Sequence, residues 1–318
     1  MSNPNDVEPT GVIAARQQLA RILLEREVGQ RLPSTQLLQQ ETGLGAGTVV
    51  KALRELQSLK AATLKARGHQ GTTIEARHVG RLWSAAGLGT FVLVLPPPGP
   101  IEQQATHTAV RTALSKILIA SQVEYLRGAA RRLEEVYQGR ANAALMSAGA
   151  YRHLLGTRPG IVGVNLGPGS YYADRSLVLV RRAGVELGPI PRVAIDRSSV
   201  DHTTITEATF GDIKTEPVDC PFIEVPARVL AGEVDTGIWH AMPTVIPPHL
   251  AGLELTPLED LGVQLPHEDL HAVIVSMGVD AATNAALREL RPGEVQKRYR
   301  ELMANLDLAS MSDLTWPR

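Results

Sequence analysis

Three helix-forming stretches in quick succession, closed by a glycine-bracketed hairpin, occupy residues 11–77 and leave little choice of local fold. From Gly11 to Glu27, Val12, Ile13, Leu19, Leu23 and Leu24 fall largely on one helical face, with Arg16, Arg21 and Arg26 off it. Pro33 and Ser34 supply a helix start, Leu37 and Leu38 a buried pair, and Gly43 a stop. Between Ala46 and Ser58, Val49, Ala52, Leu53 and Leu56 recur at helical spacing and leave Thr48, Lys51, Arg54 and Glu55 outside. Two strand-like pieces, Ala62–Ala66 and Thr72–Ala76, flank Arg67-Gly68-His69-Gln70-Gly71, whose glycines permit the positive φ of a tight hairpin. Helix, helix, helix, hairpin is the order of a winged helix-turn-helix.

Charge follows the same division. Between Arg16 and Arg77 lie ten Lys or Arg against five Asp or Glu, while the whole chain has a net charge of −1, so a basic N-terminal quarter precedes an acidic remainder. This asymmetry points to a nucleic-acid-binding module joined to a partner domain. In such a module the third helix fits the major groove, and the wing places cations on the phosphate backbone. The expected DNA contacts are Ser34 and Thr35, then Gly47, Thr48, Lys51 and Arg54 on the third helix, and Arg67, Gly68, His69 and Gln70 at the wing tip. Their partner is double-stranded operator DNA.

At 318 residues the chain is too long for that module alone, and 44% hydrophobic with 20% charged residues is a folding composition. Residues 1–10, polar with two prolines, read as a mobile tail, 11–77 as the DNA-binding domain, 78–90 as a linker and 91–318 as a second domain. The second domain opens with Phe-Val-Leu-Val-Leu from Phe91, a buried strand ending in a proline-rich loop. Helices are expected at about 102–119, 126–138, 223–232 and 281–307. Strands are expected near 143–147, 161–165, 176–181, 191–195, 236–239 and 272–276. This alternation predicts an α/β domain with a largely parallel sheet.

The run LPSTQLLQQETGLGAGTVVKALRELQ, followed by RGHQGTTI, resembles the GntR-type winged helix-turn-helix of bacterial transcription regulators. The resemblance spans Gly11 to Glu75 and rests on Leu32-Pro33-Ser34, Gly43, Thr48-Val49, Lys51-Ala52-Leu53, Leu56 and the glycine-rich wing. It departs where the third helix starts: Gly45 and Ala46 replace the usual Ser and Arg, removing an N-cap oxygen and a typical guanine reader. Together with the wing, this stretch is similar to the YhfZ-type branch of these regulators. The resemblance implies binding as a two-fold dimer to a near-palindromic site.

The second domain is similar to periplasmic-binding-protein-like (type 2) effector domains, which are two-lobed. Gln138–Ser147 and Ala231–Trp239 carry that similarity, each reading as helix end, glycine, polar residue and rising strand, with Asn142 where an acid is common. The resemblance implies a cleft between lobes, against strand C-termini and helix N-termini whose free N–H groups favour anions. A small-molecule effector, an anion among the candidates, would there meet Ser147, Gly169, Ser170, Tyr171, Asp196, Ser198, Ser199 and Trp239. Blander roles stand beside these: a cap at Ser198 or Ser199 for a helix from Val200, a turn at Gly167 and Gly169, core packing for Tyr171 and Trp239. Arg175, Arg181 and Arg182 read as anion partners or as a solvated strand edge.

The single cysteine, Cys220, excludes a disulfide framework and a cysteine-rich metal centre. No apolar run approaches the length of a membrane span and the start lacks a signal-peptide pattern, so a cytoplasmic protein without membrane contact is expected. His267-Glu268-Asp269-Leu270-His271 fits the zinc-protease spacing, but Pro266 and the strand-like AVIVS leave barely one turn, so a loop entering a strand is expected and no metal. His69 belongs to the wing; His107, His153, His202, His240 and His249 read as ordinary surface or core residues. Neither a GxSxG elbow nor a phosphate loop is present, so no enzyme and no cofactor are expected. The opposing reading is a small-molecule-binding protein or enzyme of the binding-protein fold whose winged helix serves assembly. The amphipathic segment Ala281–Leu308 offers a packing surface.

Overall fold

The computed structural model describes residues 10–310 apart from Thr157, with backbone alone at Thr10 and at 306–310. The tail expected over residues 1–10 lies outside the described residues except for Thr10, which starts a helix. The chain forms two compact units. One comprises the described residues up to Phe91 with Thr112–Gln122 and Gly278–Leu290; the other comprises Val92–Arg111, Val123–Met277 and the described residues from Arg291.

The first unit opens with α1 (Thr10–Leu24), which buries Ala15, Leu19, Leu23 and Leu24. Strand β1 (Arg31–Leu32) leads into α2 (Thr35–Thr42), where the Ser34 hydroxyl accepts from the Leu37 amide at 3.3 Å and Gly43 ends the helix at φ 69°. Only Leu38 is buried there, at 1% exposure; Leu37 is 50% exposed, so the expected pair is a single anchor. Neighbouring residues on a helix point about 100° apart, and a two-turn helix shows the core one face. Helix α3 (Ala46–Ser58) buries Val49, Ala52 and Leu56. The wing consists of β2 (Ala62–Ala66) and β3 (Thr72–Arg77), antiparallel, with β1 on the far side of β3. Its tip is a single 3₁₀ turn over Gly68–Gln70, with φ of 55° at Gly68 and 84° at Gly71. Arg77 reaches from β3 to the end of α1, donating to the carbonyls of Leu23, Leu24 and Arg26 and to Glu27. A guanidinium there satisfies orphan carbonyls and the negative end of the helix dipole together.

The expected linker over 78–90 instead contains α4 (Val79–Ala85), capped by His78, which accepts from the Arg81 amide at 3.4 Å. Val79, Leu82 and Trp83 are buried, and the Trp83 indole donates to the Gly89 carbonyl at 2.7 Å. Seven residues containing a glycine are too few to display a period, so the helix was invisible to pattern reading.

The second unit holds most of two sheets of one plan, with Phe91, the end of α5 and the start of β5 counted in the first. β4 (Phe91–Leu95), α5 (Ile101–Lys116), β5 (Ser121–Tyr125), α6 (Ala129–Tyr137), β6 (Ala143–Ser147), α7 (Ala148–Leu155) and β7 (Ile161–Asn165) form most of a first lobe. The chain crosses to β8 (Leu177–Arg182), β9 (Arg192–Ile195), α8 (Val200–Phe210), β10 (Glu216–Asp219), α9 (Val225–Ala231), β11 (Thr236–His240) and β12 (Leu253–Pro257) of a second lobe, then returns as β13 (Ala272–Met277). The strand orders are β5-β4-β6-β13-β7 and β10-β9-β11-β8-β12. Each fourth strand is antiparallel to both neighbours, so the sheets are mixed and not largely parallel as expected. These are the strands by which the chain enters a lobe from the other one, and they run against the strands wound within it. Helix α10 (Ala281–Glu289) packs against α1 and α4 in the first unit, and α11 (Pro292–Ser310) follows. The single helix expected over 281–307 breaks at Arg291, at φ 48°, and at Pro292, which has no amide to continue the ladder.

Candidate functional site

Two sets of residues offer surfaces for binding. On α3, burial of Val49, Ala52 and Leu56 turns Lys51 and Arg54 outward, with Thr48 half-buried at the front. Among the described residues Lys51, Arg54 and Arg67 have no ion-pair partner, while Glu55 on the same helix faces Arg16 at 3.6 Å. The start of α3 is bare: Gly45 is its N-cap without a side-chain bond, and a Cβ at Gly45 or Gly47 would meet nothing within 4 Å. Arg67, Gly68, His69 and Gln70 are exposed around the wing turn, which the Arg67 amide closes on the Gly71 carbonyl at 2.8 Å. Ser34 is committed as the cap of α2, with Thr35 exposed beside it.

The second set lines a cleft between the two lobes. The first lobe supplies the Pro96–Pro100 turn after β4, Gln103 at the start of α5, and Arg127, Gly128 and Arg132 around the start of α6. The second supplies Asp196, Ser198, Ser199 and Asp201 around the start of α8, with Phe222, Ile238, Trp239 and His240 behind. Both walls therefore present helix N-termini after sheet strands, where N–H groups lack intrahelical partners. Ser199 caps α8, accepting from the His202 amide at 3.2 Å. Asp196 accepts from the Ser198 amide and hydroxyl and from the Phe222 amide. Burial alone would raise the Asp196 carboxyl, but these donors outweigh it and hold its pKa below the ordinary value.

Of the expected ligand contacts, the structure places Tyr171, Asp196, Ser198, Ser199 and Trp239 on the cleft wall and sets Ser147, Gly169 and Ser170 apart from it. The Ser147 hydroxyl caps α7 through the Ala150 amide and donates to Asp201 Oδ1 at 2.6 Å. The Gly169 carbonyl accepts from the Tyr299 hydroxyl at 2.7 Å, and Ser170 Oγ accepts from the Ala272 amide at 2.8 Å. These three hold the crossings between lobes, and their polar groups are already used. Arg175 and Arg181 pair with Asp260 and Glu254, outside the cleft. His267–Leu270 is one 3₁₀ turn before β13, and among the described residues no group of three or more His, Cys, Asp or Glu is placed to hold a metal.

Pattern reading missed a buried polar layer behind the cleft. Glu102 and His240 pair across the lobes, both almost fully buried. Burial pushes the Glu102 carboxyl up, yet the hydrogen bond and charge of His240 prevail and lower its pKa. Asp201 accepts from Ser147 and, at 2.9 Å, from the Tyr172 hydroxyl, but burial still raises its pKa. His202 accepts from the Asp196 amide at Nδ1 and meets the Ile238 carbonyl at Nε2, a neutral imidazole whose pKa burial lowers. Arg132, 3% exposed, donates to the carbonyls of Leu145 at 2.8 Å and Leu126 at 2.9 Å and to the Tyr171 hydroxyl at 3.4 Å. One signal for it stood in the sequence: Ala129, Arg132, Leu133 and Val136 share a helical face, and all four are buried.

The two strand-entry motifs occupy matching places. Asn142 precedes β6, and its Oδ1 accepts from the Val92 amide at 2.8 Å; Asp235 precedes β11, and its Oδ2 accepts from the Arg192 amide at 2.8 Å. Asparagine thus supplies the same acceptor as the acid, and the departure changes charge but not geometry.

The family described as the YhfZ C-terminal domain matches residues 79–304, and a helix-turn-helix domain family matches residues 27–74. The uncharacterized protein YhfZ of Escherichia coli K12 is 28% identical over 242 residues, covering 76% of this chain and 78% of that protein. The crystal structure of YhfZ from Shigella flexneri superposes with a TM-score of 0.58 at 23% identity, over 72% of this chain and 96% of that one. The periplasmic aliphatic sulphonate binding protein SsuA of Escherichia coli superposes with a TM-score of 0.50 at 11% identity, over 70% and 77%. The fold is thus mixed α/β, an N-terminal helix-turn-helix domain followed by a periplasmic-binding-protein-like domain. Among the described residues no helix is long and apolar enough to cross a membrane.

Proposed function

The chain belongs to the family of the YhfZ C-terminal domain, and from that premise we propose that it is a GntR-type bacterial transcription regulator acting in the cytoplasm. Residues 11–77 bind operator DNA as part of a homodimer, residues 91–318 take up a small-molecule effector in the cleft, and 78–90 join the two. The reading is carried by one combination: a helix face and wing bearing cations without an ion-pair partner among the described residues, Lys51, Arg54 and Arg67, in the same chain as a cleft walled by two lobes. The effector controls operator binding by preferring one arrangement of the lobes, since a ligand of equal affinity for both shifts nothing. No catalytic role is assigned, because Ser147 is engaged by Asp201 and the α7 cap, and both ring nitrogens of His202 face backbone groups.

Salt dependence tests the DNA half directly. Each phosphate contact that is lost should flatten the slope of log affinity against log salt by about one. A titration of a mixed-sequence duplex should show this for Lys51→Ala and for Arg67→Ala, with folding unchanged. An unaltered slope removes that residue from the phosphate contacts, and absence of DNA binding by the parent chain favours a winged helix that serves assembly.

A further inference from the structure

We propose that the cleft takes an effector with an anionic head, a carboxylate or a phosphoryl group, seated on Arg132 and Gln103 of the first lobe with its apolar body against Phe222, Ile238 and Trp239 of the second. The inference deepens the effector reading above and rests on it. Arg132 is a buried cation whose three hydrogen bonds all go to neutral oxygens. A guanidinium has five N–H donors, so two remain, and a charge taken out of water without a counter-charge is costly. Carboxylates near the cleft are engaged elsewhere: Asp196 by Ser198 and Phe222, Asp201 by Ser147 and Tyr172, Glu102 by His240. Asp201 feels the field of Arg132 but makes no ion pair with it.

Gln103 supplies a second, independent observation. The residue is 5% exposed and lines the cleft, and among the described residues its side chain makes no hydrogen bond. Its amide is not among the polar atoms sealed from water without a partner, so it reaches the solvent of the cleft, and a ligand that accepts from it replaces that water. Beside it, Gly128 at φ 81° starts α6 without a side-chain cap, leaving the first amides of that helix to the same space. Phe222, Ile238 and Trp239 across the cleft offer apolar surface.

The test is calorimetric titration of the full chain, without DNA and at fixed ionic strength, with hexanoate, hexylphosphonate and neutral hexanamide. At least one charged probe should bind saturably, and hexanamide at least about tenfold more weakly. Gln103→Leu removes no protein hydrogen bond, so it should keep the parent melting temperature and weaken the charged probe about tenfold; Arg132→Lys should weaken it further. Which charged probe binds identifies the head. Equal binding of charged and neutral probes, no saturable binding of either charged probe, or full binding by Gln103→Leu overturns the proposal. Because DNA is absent, an anion that binds as described yet leaves DNA affinity unchanged counts against the regulator reading and not against this one.

Discussion

His107 feels both burial and the Arg132 charge inside the first lobe. Burial first, and the nearby guanidinium second, lower its pKa to about 4 from an ordinary 6.5, and its Nε2 has no partner. Between those values the unfolded chain binds a proton that the folded chain refuses, so stability falls as pH drops from 6.5 towards 4, by at most roughly 3 kcal/mol. Replacing His107 with Leu should remove this component: the melting temperature of the variant should fall less between pH 7 and pH 5 than that of the parent, and an equal fall in both would contradict the assignment. Single residues were the least legible scale. Arg132 stood in plain sight on the apolar face of α6, yet a helical pattern assigns an arginine to solvent unless its face is checked. Ser147, Gly169 and Ser170 lie off the cleft wall for the complementary reason: position at a strand end or turn says nothing of whether neighbouring donors and acceptors already engage them.

Elements with a full period were read correctly, and the ones missed, such as α4, α7, β5, β10 and β12, lack one. α3, α5 and α6 show apolar residues at helical spacing over two turns or more, and β6 and β13 are largely apolar runs, which is what burial on both faces of a sheet produces. β5, β10 and β12 lie at sheet edges, where water covers one side and the pattern weakens. α8 is rich in β-branched residues and shows no helical period, yet the helix from Val200 considered in the sequence forms, capped by Ser199 and burying His202, Ile205 and Phe210. Two glycines test the helices of the first unit in opposite directions. A Cβ at Gly80 in α4 would strike the Ile117 carbonyl oxygen, whereas at Gly47 in α3 it meets open space. Gly80→Ala should therefore destabilise by about 3 kcal/mol, and Gly47→Ala should stabilise by about 0.5–1 kcal/mol. Thermal denaturation of both variants reads the difference; a stable Gly80→Ala chain would refute the close approach. If the bare start of α3 lets backbone meet phosphate, Gly47→Ala should also lose DNA affinity despite its added stability.

At the scale of the whole molecule, the helix-turn-helix followed by an α/β domain was legible because its elements follow one another along the chain. The mixed sheets were not, since β8 and β13 are paired by crossings between lobes that leave no local mark. Those crossings bear on the proposed function, for the ties between Ser147 and Asp201 and between Glu102 and His240 join one lobe to the other. An effector that seats between the lobes competes with or adds to such ties, and its differential affinity for the two arrangements sets how far the equilibrium moves. The central claim is that this chain reads a DNA sequence. Selection of a randomised duplex library by the full-length protein at near-physiological salt tests it most directly, repeated in the presence of whichever anion binds the cleft. A near-palindrome, with two half-sites at a fixed spacing and enrichment that changes when the anion is added, is the predicted result. Failure to enrich any sequence in either condition would contradict the account.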